Sequence, residues 1–401
     1  MNKFNLISYK NENTGTDINF LNYNIAEKVF NYHKSFPQYK KTPLVSLSNL
    51  AKQSGLKEFY VKDESYRFGL NAFKVLGGSY CIACYIAEKI GVDIESLTYD
   101  KLISSEVKNK IGEITFTTAT DGNHGRGIAW TANKIGQKAN IFMPKGSSKE
   151  RLDNILKENA TANIYNWNYD ECVRQAGKYA KENNGVMVQD TSWEGYEKIP
   201  SQIMQGYMTI AYEAYNELRN IGKLPTHIFL QAGVGSFAAA ITGFFANVMK
   251  NNLPIITIVE PNKANCLYKT AKANDGKLHN VDGDLDSIMA GLCCGEPATI
   301  GWPILSTYTN FFISVDDTYA AHGMRLLGNT LNEDKKIISG ESGAVTSGVV
   351  HKLMTDNSLK THKEAIGLNE NSIVLCFSTE GDTDKLNYQK IVWDGDYPFN
   401  L

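Results

Sequence analysis

From about residue 112 onward the chain alternates short apolar runs with longer stretches whose apolar positions recur every three or four residues. EITFTTA (113–119), ANIFMP (139–144), ATANIYN (160–166), GVMVQD (185–190), THIFLQAG (226–233), PIITIVEP (254–261), NFFISV (310–315) and NSIVLCFS (371–378) have the length and composition of strands. GRGIAWTANKIG (125–136), SKERLDNILKEN (148–159), YDECVRQAGKYAKEN (169–183) and PSQIMQGYMTIAYEAYNELRNIG (200–222) carry helix periodicity. So do a stretch beginning at Ser236 and, upstream, KVLGGSYCIACYIAEKIG (74–91). Strands and helices taken in turn argue for parallel sheets covered by helices. The predicted fold is α/β, with two open, twisted, mostly parallel sheets and flanking helices. The expected division is a small α/β domain over 80–190 and a large one built from 1–79 and 191–401.

Composition narrows the function classes. The 401 residues carry a net charge of -2 from 41 basic and 43 acidic side chains, with 42% hydrophobic residues. This is ordinary for a globular enzyme and leaves no basic footprint for nucleic acid and no polybasic patch for a membrane. The opening residues, MNKFNLISYKNENTG, lack the apolar centre of a signal peptide, and no apolar run reaches membrane-spanning length. The expectation is a cytoplasmic protein. Seven cysteines lie at 81, 84, 172, 266, 293, 294 and 376. CIAC (81–84) has a CxxC spacing but no second half-site, and it falls inside a helix pattern, so core packing is the expectation and no metal site is assigned. Cys266 and Cys293 or Cys294 are candidates to meet in space, and reduced thiols are expected.

Four stretches carry candidate chemistry. In TATDGNHGRG (118–127) an apolar run enters a glycine turn and a helix pattern leaves it, the geometry that usually cradles a phosphate. Yet Asp121 sits in the turn, where a carboxylate repels an anion; the plain alternative is a helix N-cap. In THIFLQAGVGSFAAAITGFF (226–245) a strand ends in Gly233, Val234, Gly235 and Ser236 with no acid nearby, and this is the better phosphate site. In SYRFGLNAFKVLGGSY (65–80) Lys74 follows a Phe and precedes Val-Leu-Gly-Gly; an amine in apolar surroundings loses charge and becomes a better nucleophile toward an aldehyde. In IVLCFSTEGDTDK (373–385) a strand ends at Ser378, at the edge where open α/β sheets bind ligands.

Taken in order, the lysine of NAFKVLGG, the DGNHG turn, AGVGS and the last strand ending in Ser resemble the fold-type II pyridoxal-phosphate enzymes, a group that includes threonine dehydratase and cysteine synthase. The resemblance spans about 40–385. KDESYRFGLNAFKVLGG (62–78), TATDGNHGRG, VQDTSWEGYEKIP (188–200) and FSTEGDTD (377–384) are most similar to the members that release ammonia from diaminopropionate. The resemblance implies pyridoxal 5'-phosphate in a cleft between the two domains, with Lys74 joined to the cofactor aldehyde. Asn123 would bond the phenolic oxygen, Gly233, Val234, Gly235 and Ser236 would hold the phosphate, and Ser378 would meet the ring nitrogen. It also implies that Asp121 stands across the cofactor plane from Lys74, so that two bases serve opposite enantiomers, with Asp190 orienting the β-ammonium or passing it a proton. The expected reaction is α,β-elimination of ammonia from D- and L-2,3-diaminopropionate, giving pyruvate and two ammonia, by a homodimer with no nucleic-acid or membrane partner. His124, Tyr165, Trp167 and Trp193 are read as packing, and Glu260 and Glu341 as possible neighbours of the site.

Two other readings are kept. A serine or threonine dehydratase, or a β-replacement enzyme of the same fold, usually has Ser where this chain has Asp121. A catalytically idle pyridoxal-phosphate binder or amino-acid sensor has little use for an intact Lys74.

Overall fold

The computed structural model of the chain describes residues 3–9 and 15–399. Eleven strands run β1 (Phe4–Ser8), β2 (Leu44–Ser46), β3 (Glu58–Asp63), β4 (Thr115–Ala119), β5 (Lys138–Met143), β6 (Thr161–Ile164), β7 (Val186–Met187), β8 (His227–Gln231), β9 (Ile255–Pro261), β10 (Phe311–Val315) and β11 (Ile373–Ser378). They form a seven-stranded sheet in the order β1-β10-β9-β8-β11-β3-β2 and a four-stranded sheet in the order β6-β5-β4-β7. The smaller sheet is parallel throughout. In the larger one β1 and β2 run antiparallel at the two edges and the other strands are parallel. The alternating pattern therefore predicted the class of fold correctly.

Every residue of β8, β10 and β11 is buried, which is why these strands read as unbroken apolar runs: helices cover both faces. At the edge of the small sheet β6 buries only Ala162. The strand β3, EFYVKD, is absent from the sequence-based assignment because charges flank its apolar centre. Those charges are inside the protein. Lys62, Glu64, Arg67 and Glu213 are all fully buried. Lys62 Nζ stands 2.8 Å from Glu213 Oε2, Arg67 Nη1 2.9 Å from Glu213 Oε1, and Arg67 Nε 2.7 Å from Glu64 Oε2. Lys62 also donates to the Thr42 carbonyl at 2.7 Å. The cluster fastens the segment from β3 toward Lys74 onto the long helix Lys198–Asn220.

Burial works against the Glu213 charge, but Arg67 and Lys62 overcome it and lower its pKa to about 2. The folded value lies below the unfolded one, so this carboxylate stabilises fully above the usual carboxylate range and loses its contribution as pH falls toward about 2. Glu213→Leu leaves Lys62 and Arg67 short of a counter-charge. The expected cost is about 3–5 kcal/mol, read as a lower urea midpoint; an unchanged midpoint would show that the cluster re-pairs without it.

Candidate active site

The carboxyl ends of β4, β7, β8 and β11 converge on one cleft between the sheets, as expected for open α/β folds. One cavity is lined by Lys74, Asn123, Asp190, residues 233–236, Thr379 and Glu380, among others. A smaller cavity beside it is lined by Lys74, Asp121, His124, Tyr169 and Asp190. The structure thus brings Lys74, Asp121, Asn123, Asp190 and the Gly233–Ser236 turn together across some 160 residues of sequence.

Lys74 precedes the first turn of the helix Val75–Ile90. The chain leading to it is stitched to the end of β11: Phe73 N–H donates to Thr379 O at 3.1 Å, Gly381 N–H donates to Asn71 O at 2.9 Å, and Ala72 pairs with Glu380. The Phe73 ring packs on Phe237 and Tyr207. The expectation of a purely apolar setting for Lys74 needs correction. Its ammonium forms an ion pair with Asp190. Burial opposes the Lys74 charge, but Asp190, with Tyr207 and Asp121, outweighs it and raises the amine above its ordinary range. For Asp190, burial is likewise outweighed by the groups ranged around it, His124, Lys74 and Tyr169, and the carboxyl is held well below its usual range. Tyr169 OH donates to Asp190 Oδ1 at 3.3 Å, Gln189 Nε2 donates to the same oxygen at 3.2 Å, and Ser236 Oγ donates to the Asp190 carbonyl at 2.6 Å.

The turn before the helix Asn123–Lys134 answers what an acid is doing there. Asp121 does not cap the helix. Thr120 Oγ1 accepts from the N–H groups of Gly122 and Gly125 at 2.9 and 3.0 Å, so the cap is a hydroxyl one residue earlier. Asp121 is left to face the cleft, where its Oδ2 accepts from Arg151 Nη1 at 2.9 Å. Asn123 Nδ2 donates to Glu380 Oε2 at 2.5 Å. His124 is a buried ring whose Nε2 bonds the Val188 carbonyl at 2.8 Å, and burial lowers its pKa.

On the opposite wall, Gly235 has φ +102, a left-handed conformation that glycine adopts without strain, and the helix Ser236–Met249 starts there with no capping side chain and no acid in its first turn. Its first N–H groups are available to an anion. Gln231 Oε1 is buried on the same wall without a hydrogen-bond partner. A lysine amine, an uncapped helix start and an unpaired polar atom around one cavity fit pyridoxal 5'-phosphate.

Not every sequence-based site residue reaches the cleft. Ser378 is fully buried and donates to Ser339 Oγ at 2.8 Å, while Thr379 and Glu380, which follow it, line the cavity. Glu260 accepts from the N–H groups of Leu267 and Tyr268 at 2.9 and 2.6 Å and serves a helix start instead. Glu341 lies in the outer part of the cleft, near Arg151. Tyr165 stacks on Trp167 and Trp193 on Tyr196, as packing residues do. Cys81 and Cys84 lie on the Val75–Ile90 helix, and all seven cysteines are unpaired thiols. Glu380 and Arg151 were missed. The first lies two residues beyond a strand end already singled out, and the second is one arginine in a surface-patterned helix.

A two-sheet α/β fold whose cleft between facing strand ends holds a half-buried lysine and a phosphate-type turn defines a pyridoxal-phosphate enzyme. The model for the family described as "Pyridoxal-phosphate dependent enzyme" matches residues 36–366. The chain is 48% identical over 388 residues to diaminopropionate ammonia-lyase of Salmonella typhimurium, covering 96% of each. It is 49% identical over 366 residues to that of Escherichia coli, covering 91% of this chain and 90% of the relative. The crystal structure of the Escherichia coli enzyme with an aminoacrylate–cofactor reaction intermediate superposes with TM-score 0.91 at 43% identity, covering 99% of both chains. The chain belongs to the diaminopropionate ammonia-lyase family of pyridoxal-phosphate dependent enzymes. It is a carbon–nitrogen lyase.

Proposed function

We propose that this enzyme eliminates ammonia from both D- and L-2,3-diaminopropionate, giving pyruvate and two ammonia, with Lys74 and Asp121 as bases on opposite faces. The observation that carries the reading is that Lys74, Asp121 and Asp190 line one small cavity. When bound, pyridoxal 5'-phosphate supplies an aldehyde that captures an amine and a conjugated ring that draws electron density from the α-carbon. Gly233, Val234, Gly235 and Ser236 would hold the phosphate and Asn123 the phenolic oxygen, while Thr379, which follows Ser378 and lines the cavity, would meet the ring nitrogen in place of Ser378. Lys74 Nζ would hold the cofactor through its aldehyde, and the freed amine would take the α-proton of one enantiomer. Asp121 takes that of the other. Asp190 accepts a hydrogen bond from the Lys74 ammonium and orients the β-nitrogen, which must leave as neutral ammonia.

The division into a small domain over 80–190 and a large one over 1–79 and 191–401 is supported by the small sheet falling wholly within the first segment. A homodimer is supported by the family likeness. A cytoplasmic setting is supported by the seven unpaired thiols. Among the described residues no helix is long and apolar enough to cross a membrane.

The test follows pyruvate from purified enzyme given D- and L-diaminopropionate beside D- and L-serine. Both diaminopropionate isomers are expected to be consumed far faster than either serine. Faster turnover of serine would make the protein a dehydratase.

A further inference from the structure

The outer part of the cleft holds a cation that the proposed chemistry does not use. Arg151, on the helix Lys149–Leu156, is 5% exposed. Its Nη1 stands 2.9 Å from Asp121 Oδ2, and its Nη2 stands 3.9 Å from Glu341 Oε2. The stem of the side chain lies directly over the DGNH turn. A Cβ at Gly122, whose φ is +153, would stand 3.0–3.2 Å from Arg151 Cδ, Cβ and Cγ. The glycine that follows Asp121 is therefore the gap through which the arginine reaches the carboxylate.

The other end of this arrangement is anchored in the large sheet's helices. Glu341 opens the helix Glu341–Thr355, and its Oε1 accepts from Asn387. Next to Arg151, Glu150 Oε2 accepts from the N–H of Lys385 at 2.9 Å. Glu150 thus ties the small-sheet side of the cleft to the segment 384–387 directly, and Arg151 faces the same segment by way of Glu341. Arg151 Nη1 is engaged by Asp121, and the carboxylates of Glu380, Glu341 and Asp384 add negative charge around the guanidinium.

The geometry points to Arg151 as the positioning residue that aims Asp121 into the cleft, and so as the side chain on which turnover of one of the two enantiomers depends. This rests on the reading of Asp121 as the base for that enantiomer. A charge-assisted hydrogen bond from a planar guanidinium fixes both the distance and the orientation of a carboxylate. Without it Asp121 is a short side chain at a turn, with a choice of rotamers. Lys74 is held separately, by Asp190, so the other enantiomer does not depend on Arg151.

The experiment compares Arg151→Ala, Arg151→Lys and Asp121→Asn on the separate isomers of diaminopropionate, each as cofactor-loaded enzyme. Arg151→Ala is expected to lower kcat by about 100-fold on the isomer that Asp121→Asn impairs, the scale of a misplaced reacting group, with a much smaller change in KM. The other isomer should keep most of its rate. Added methylguanidinium should restore part of the lost rate on the impaired isomer alone, and Arg151→Lys should fall between Arg151→Ala and the parent. A structural role would show neither signature: equal losses on both isomers, or no rescue, overturn the inference. If Asp121→Asn itself shows no isomer preference, the base assignment has failed. If it shows one and Arg151→Ala does not, only the present inference has failed. Should Arg151→Ala not take up cofactor, the isomer split of Arg151→Lys decides by the same criterion.

Discussion

Lys74→Ala is expected to abolish pyruvate formation from both isomers and to remove the violet absorption of the cofactor-loaded protein. Lys74 is the one lysine among the described residues that lines the inner cavities, so no second amine stands ready to attach the cofactor. Loss of an attaching nucleophile that also acts as a base should cost at least about 10³-fold in kcat. The substitution also leaves Asp190 buried without its cation, and instability alone could mimic loss of function. Lys74→Arg separates the two effects. It keeps a positive charge beside Asp190 but has no amine that captures an aldehyde, so it should be equally inactive and melt higher than Lys74→Ala. Activity in either variant would remove Lys74 from the chemistry.

Asp121→Asn should divide the isomers. The amide keeps the size of the side chain and can still meet Arg151 through its oxygen, but it does not take a proton. The expected loss is about 10²–10⁴-fold on one enantiomer, the range of a general base, and far less on the other. Separate kcat measurements on the D and L isomers check this. Equal losses would mean that Asp121 shapes the turn and does no more.

The parallel strands other than β3 were legible because helices cover them on both sides, leaving apolar runs that a single sequence displays. The edge strands β1 and β2 were not legible, being short and half-exposed. β3 was hidden for the opposite reason: Lys62 and Asp63 read as surface residues, and it takes the distant Glu213 and Glu217, with the Thr42 carbonyl, to explain how Lys62 is buried. At the site, the glycine turns and Lys74 stood out because backbone geometry and an unusual local setting leave marks in sequence. Partnerships do not. Nothing near Asp121 in sequence announces Arg151, thirty residues on, and nothing near Lys74 announces that Asp190 neutralises it. Thr120 was overlooked as the helix cap because Asp121, a stronger capping residue by composition, stood beside it.

The helix that begins after Lys74 is gripped at its first turn by two other helices through glycine contacts. A Cβ at Gly127 would come within 2.8 Å of Val75 Cα, and one at Gly206 within 2.5 Å of Leu76 O. With no side chains interposed there, main chain rests on main chain, and the separation between the amine and the DGNH turn behaves as a property of the scaffold. Core substitutions elsewhere can loosen the protein without moving Lys74 and Asp121 relative to each other. Conversely, alteration of what the enzyme accepts is most readily achieved at the outer cleft, where loops and long side chains form the wall, and least readily at this glycine joint, where one added methyl group would displace the reacting nitrogen itself.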